Sequence, residues 1–181
     1  MKKGMKYLRN LLKIGVVVLV LFGLFTQGIR SITIVGSSMY PTLANNDRGV
    51  INSLVLTKST IERFDVVVLD WQENNERIIK RVIGLPGDHI EYKEDELYIN
   101  GILYEEPFLN RDYMAEAKQV KGVDQFTEDF VYDVPNDCYF VLGDNRLNSL
   151  DSREIGCFKM EDIVGKAGYL IYPFSHFGMI E

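Results

Sequence analysis

From Ser31 onward the chain alternates apolar with polar residues, or gathers β-branched residues into short runs closed by turn residues. Both patterns predict strands rather than helices. SITIV (31–35) alternates, and RGVINSLV (48–55) and DVVVLDW (65–71) are β-branched runs. RIIKRVIGLPGD (77–88) reads as a strand ended by a Pro-Gly turn. DELYINGILYEE (95–106) centres on Asn100-Gly101, a hairpin signal between two alternating segments. CYFVLGDN (138–145) and VGKAGYLIYPF (164–174) supply two further strands, and KMEDIVG (159–165) a single helical turn. Residues 105–137 are charged, carry few strand signals and read as a long inserted excursion. There is no internal repeat and no low-complexity tract.

The N-terminus follows a different pattern. Residues 14–29 hold no charge. Sixteen residues fall short of the roughly 20 that span a bilayer core, but Leu11 and Leu12 extend the run if Lys13 snorkels toward the headgroups. Nothing polar interrupts the run to give a soluble helix its second face. A cleaved leader would need a small-x-small site, and TQGIRSITIV (26–35) offers none that convinces. The expected organisation is therefore a basic cytoplasmic segment (1–13), an uncleaved transmembrane anchor (14–30) and an extracytoplasmic body (31–181). The fold class is mainly β with one N-terminal transmembrane helix, single-pass in the plasma membrane with the N-terminus inside.

Charge sharpens this division. The chain has 181 residues, 46% of them hydrophobic, ample for a packed core. Its net charge is −6, yet the first thirteen residues carry five cations and no acid, leaving 15 basic against 26 acidic residues elsewhere. An acidic body excludes nucleic acid as a partner, since binding phosphates needs clustered Lys and Arg. Cys138 and Cys157 both fall in the body, where an oxidising compartment permits a disulfide; two buried free thiols remain the alternative.

Candidate chemistry starts at Lys80. On a strand, Ile78, Lys80 and Val82 share one face. A lysine flanked by aliphatic residues loses hydration, which disfavours its charged form and makes its amine a candidate general base. The plainer alternative is an edge lysine whose stem covers apolar surface while its tip reaches water. Ser38, in SSMYPTL (37–43), is a candidate nucleophile, with Pro41 and Thr42 stiffening the turn after it. A Ser-His-Asp triad would have to draw on His89 or His176, both of which read as surface or packing residues. Two scattered His and two Cys nineteen apart match no metal-ligand spacing, and no glycine-rich phosphate loop is present. GDNRLNSLDSR (143–153) concentrates Asp, Asn, Arg and Ser directly after an apolar strand, as a paired network supporting a site would.

Four segments in order, SSMYPTL, RFDVVVLD (63–70), KRVIGLPGD (80–88) and GDNRLNSLDSR, resemble the boxes of type I signal peptidases, with an anchor like that of the Gram-positive bacterial members. The resemblance covers residues 31 to about 174. It implies a Ser/Lys dyad on a β scaffold, with Ser38 as nucleophile and Lys80 as general base. Ser149 corresponds to the hydroxyl that orients the lysine amine. Asp144, Arg146, Asp151 and Arg153 correspond to a supporting network, with Arg81 as ion-pair partner of Asp144. Ile34 and Met39 fall where the family lines its substrate pocket. Gly36 stands where some members carry an oxyanion-stabilising serine, so the oxyanion hole would rest on backbone N–H groups, notably that of Ser38. The family's larger second domain would be reduced to the 105–137 excursion.

The implied activity is removal of signal peptides from exported preproteins, with an Ala-x-Ala preference and no cofactor. The implied partners are preprotein signal peptides, the lipid bilayer and nearby secretion machinery. Self-cleaving SOS repressors share the dyad, but they lack an anchor and carry a DNA-binding part. A catalytically inactive anchored binding protein of the same fold is the remaining rival.

Overall fold

The computed structural model describes residues 2–53 and 61–180. Helix α1 (Lys2–Gly28) runs without interruption into strand β1 (Ile29–Thr33). At 1.5 Å per residue its 27 residues extend about 40 Å. Leu11, Leu12, Ile14, Val16, Val17, Val18, Leu19 and Phe22 are all exposed. Among the described residues no helix is long and apolar enough to cross a membrane; the side chains of residues 20, 21 and 24–29 lie outside the described set.

The body is mainly β. The remaining strands of the larger sheet are β2 (Arg48–Asn52), β3 (Val66–Trp71), β4 (Glu76–Gly84), β9 (Cys138–Leu142), β10 (Phe158–Lys159), β11 (Ile163–Tyr172) and β12 (Gly178–Met179). Their order is β1-β2-β11-β3-β4-β9-β10, with β12 added to β11. The smaller sheet joins β5 (His89–Lys93), β6 (Glu96–Ile99), β7 (Ile102–Tyr104) and β8 (Phe130–Asp133) in the order β7-β6-β5-β8. The Asn100-Gly101 signal is realised as the β6–β7 turn, both residues at positive φ. The Met160–Asp162 stretch forms the expected single turn, as a 3-10 helix.

Residues 105–137 differ from the expected excursion. They contain helix α2 (Arg111–Lys121) and β8, which completes the smaller sheet on β5. Asn110 caps α2 by accepting from Tyr113 N, and Gly122 ends it in the left-handed region. No residue of α2 is fully buried; its apolar stripe is short, with Tyr113, Met114 and Ala117 half-buried and Tyr113 packed edge-on against Phe126.

Three apolar clusters hold the body together. Ile83, Ile90, Tyr92, Leu97, Ile99 and Phe140 join the two sheets. Val67, Leu69, Val82, Tyr139, Val141 and Ile163 pack in the larger sheet. Ile34, Met39, Leu43, Val66 and Leu170 pin the segment after β1 onto that sheet. A disulfide joins Cys138 to Cys157 and settles the choice between thiols and a bridge. It closes the loop carrying GDNRLNSLDSR, whose last part forms the short helix α3 (Ser152–Ile155).

Candidate active site

Three segments converge: the turn after β1, the middle of β4, and the loop after β9. Ile34 before Ser38 and Met39 and Leu43 after it are buried, so the turn that bears the serine is anchored from both sides. Lys80 is 3% exposed and pairs in register with the fully buried Val67 of β3. Ile78 and Val82, its expected companions, belong to the same apolar cluster as Val67. Lys80 Nζ and Ser38 Oγ are hydrogen-bonded at 2.7 Å. Burial lowers the Lys80 pKa from 10.5 to about 8; the charges of Asp151 and Asp144 oppose the shift and that of Arg153 adds to it. The edge-lysine alternative is thereby excluded: the amine ends on the serine, not in water.

The loop after β9 braces both partners. Asp144 is fully buried and accepts from Arg81 Nε at 2.9 Å and Nη2 at 2.7 Å, the bidentate geometry of a strong pair. It also accepts from Thr42 Oγ1 at 2.5 Å, tying the nucleophile turn to the loop. Arg81 donates further to Phe64 O and stacks over the Phe108 ring. Asp151 accepts from Arg153 Nε at 2.8 Å and from Gly143 N at 3.0 Å. Burial pushes the Asp151 pKa up, but the Arg153 guanidinium and the Gly143 N–H, both hydrogen-bonded to it, outweigh this with a small contribution from the Ser149 hydroxyl close by, and the net shift is downward. Asn145 N donates to Ser38 O, Asn145 Nδ2 to Ser37 O, and Asn148 Nδ2 to Ser37 Oγ.

Two expectations need correction. Ser149 Oγ is enclosed beside Gly143 and, among the described residues, makes no hydrogen bond of its own; it does not hold the Lys80 amine in this structure. It influences the Asp151 carboxylate from nearby, and the amine's bond goes to Ser38 instead. Arg146 joins the expected supporting network only through backbone carbonyls, its Nε donating to Gly143 O and its own carbonyl accepting from Arg153 Nη2, while the rest of its guanidinium serves a second buried network. There it meets Glu106 at 2.5 Å, Tyr92 OH at 2.9 Å and Thr127 Oγ1 at 3.2 Å. Burial lowers its pKa, yet Glu106 and the groups around it more than reverse this, and the net shift is upward. Arg146 thus ties the smaller sheet to the loop.

Gly36 sits at φ +95 and its N–H donates to Asn45 Oδ1 at 3.0 Å, so that donor is engaged. The Ser38 N–H is free of any hydrogen bond among the described residues. Ile34 and Met39, both buried, line a cleft of about 550 Å³ together with Gly36, Ser38, Ile78 and Lys80. Thr42 and Glu106 were not singled out from sequence, and Asn145 and Asn148 only as members of the polar GDNRLNSLDSR stretch. Thr42 had been read only as a turn residue, and Glu106 lay in what looked like a solvated excursion.

A mainly β body that presses a desolvated lysine against a loop serine has the build of a serine peptidase. The comparisons agree. The family model described as "Signal peptidase, peptidase S26" matches residues 7–172. The chain is 44% identical over 144 residues to Signal peptidase I S of Bacillus subtilis, covering 77% of this chain and 75% of that protein. It is 38% identical over 184 residues to Signal peptidase IB of Staphylococcus aureus, covering 98% and 94%. The crystal structure of a signal peptidase I from Enterococcus faecalis superimposes with a TM-score of 0.51 at 40% identity, over 59% of this chain and 96% of that one. The chain belongs to the signal peptidase family, peptidase S26, and is a serine peptidase hydrolase.

Proposed function

We propose that the chain is a membrane-anchored endopeptidase that removes signal peptides from exported preproteins, with Ser38 as nucleophile and Lys80 as general base. The observation that carries this is the 2.7 Å Lys80–Ser38 hydrogen bond, made by an amine whose burial lowers its pKa to about 8. An amine poised near neutrality accepts the Ser38 proton as Oγ attacks the scissile carbonyl, and passes it to the leaving amine. Lys80 then deprotonates water, which releases the acyl-enzyme. The unengaged Ser38 N–H is the candidate donor to the developing oxyanion. Asp144–Arg81 and Asp151–Arg153 hold the loop against the dyad, and the cleft of Ile34 and Met39 takes small side chains before the cut, in keeping with an Ala-x-Ala preference.

Support for the anchor comes from α1. Val16 to Leu19 are consecutive, exposed and apolar, so they cover most of the helix circumference. A helix apolar all round calls for a surrounding that is not water. The strand β1 leads directly from it, and eight residues separate Ile29 from Ser38, a reach of at most about 30 Å. Such a tether would hold the site at the extracytoplasmic surface of the plasma membrane, where the signal peptide's own apolar segment confines the substrate.

The test incubates the full chain, in detergent or vesicles, with a preprotein bearing an Ala-x-Ala site. Cleavage there, lost in Ser38→Ala and in Lys80→Ala, is the expected result. No cleavage by the wild type, or cleavage that survives Ser38→Ala, would leave the inactive binding protein as the better account.

A further inference from the structure

The nucleophile turn separates two clefts. The one on the Lys80 side is described above. A groove of about 370 Å³ opens beyond the turn, lined by Tyr40, Asn148 and Leu147 on one side and by Tyr113, Ala117 and Val120 of α2 on the other. Tyr40 lies two positions past Ser38, and its ring meets Tyr113 edge-on at 5.0 Å. Asn148 holds Ser37 Oγ at 2.9 Å, so the groove wall and the nucleophile turn form one hydrogen-bonded unit. The groove is open, with Val120 78% exposed and Tyr40 42%, and its apolar floor is edged by Glu116, Lys121, Asn145 and Asn148. Val120 stands clear of the core, whereas Tyr113 also meets the buried Phe126 edge-on at 6.1 Å.

We infer that this groove binds the first residues of the mature protein, on the leaving side of the scissile bond, and favours an apolar or aromatic side chain there. The inference rests on the peptidase reading. A peptide whose carbonyl sits at Ser38 Oγ must continue in two directions. The cleft lined by Ile34, Met39 and Ile78 receives the part before the cut. The chain after the cut emerges across the same turn, where Tyr40 and α2 offer it a walled surface continuous with the site. Glu116 and Lys121 both line the groove, and of the two the Glu116 carboxylate is the partner for the α-ammonium that cleavage creates. A 370 Å³ groove falls within the range of small-ligand sites and suits one or two side chains.

The experiment compares two substrates on the full chain in detergent: a signal-peptide segment continuing into four mature residues with an aromatic residue first or second, and the same segment closed as a methyl ester at the scissile carbonyl. The ratio of their kcat/KM values reports what the mature residues contribute. Two variants probe the groove, Val120→Lys, a cation suited to a helix C-terminus, and Ala117→Glu, with melting curves confirming the fold. The expected result is a fall in that ratio of about tenfold, carried by KM, as losing one buried apolar side chain implies. A ratio unchanged in both variants overturns the groove while leaving the peptidase intact. A wild-type chain that cleaves neither substrate removes the peptidase reading and the groove with it.

Discussion

Lys80→Met removes an ionisable amine from an apolar strand while keeping an unbranched side chain of similar length. Lys80 is 3% exposed, and its pKa falls from 10.5 to about 8 because burial penalises the charged form. A shift of that size amounts to about 3 kcal/mol. Below about pH 8 the amine is charged in both folded and unfolded chains, and the folded protein bears the full penalty. Between about 8 and 10.5 only the unfolded chain holds the proton, so wild-type stability rises with pH across that window. Above 10.5 the amine is neutral in both states and the penalty is gone.

Methionine carries no such term, and titrating groups that do not interact with Lys80 cancel in the difference. Lys80→Met should therefore be more stable relative to wild type below about pH 8 than above 10.5, by about 3 kcal/mol. Near neutrality this corresponds to roughly 6–12 °C in Tm for a chain of this size. The assay is thermal or urea denaturation of the full chain in detergent, wild type and variant, from about pH 6 to about pH 11. The same amine sets the activity profile, so wild-type kcat/KM should climb through an apparent pKa near 8 while Lys80→Met is inactive. A stability difference that stays flat across the whole range would refute the argument, since it would mean that folding does not desolvate the amine.

Other perturbations address the groups around the dyad. Glu106→Gln leaves Arg146 buried without a full partner charge and should cost about 3–5 kcal/mol of stability, read from denaturation midpoints. Gly143→Ala places a methyl group against the Ser149 side chain and the Ser38 carbonyl; activity should fall about 100-fold as the nucleophile is displaced, measured as kcat/KM on a preprotein. Ser149→Ala removes an enclosed hydroxyl that makes no hydrogen bond, so stability should hold or rise by about 1 kcal/mol, while kcat drops if that hydroxyl engages the amine during turnover. Cys138→Ser with Cys157→Ser opens a loop of 19 residues and should cost about 3 kcal/mol, seen as a lower Tm that reductant reproduces in the wild type.

What the sequence could reveal depended on how far apart the cooperating residues lie along it. The strands were legible because alternation and β-branching are local, and the β6–β7 hairpin because Asn100-Gly101 carries its turn in two residues. The Arg81–Asp144 pair and the dyad span 63 and 42 positions, and no local pattern joins them. They were legible through resemblance, which supplies long-range pairings that periodicity cannot. The ends of α2 were written plainly, with Asn110 before it and Gly122 after it, but its apolar stripe of Tyr113, Met114, Ala117 and Val120 is short and interrupted by charge, so the stretch read as loop. Glu106 was hidden for a related reason. An acid among other acids looks solvated, and only folding β5–β8 over the loop after β9 turns it into the counter-ion of a buried arginine. Where the resemblance was carried furthest, to the orientation of the amine by Ser149, the structure departs from it. The unpaired hydroxyl lies close to a dyad that has already closed on itself, and the prediction is that it takes the amine once Ser38 has turned toward substrate. A crystal structure of the acyl-enzyme would decide this: Lys80 Nζ released by Ser38 and bound to Ser149 Oγ is the expected arrangement, and an amine that finds another partner there would leave Ser149 a packing residue.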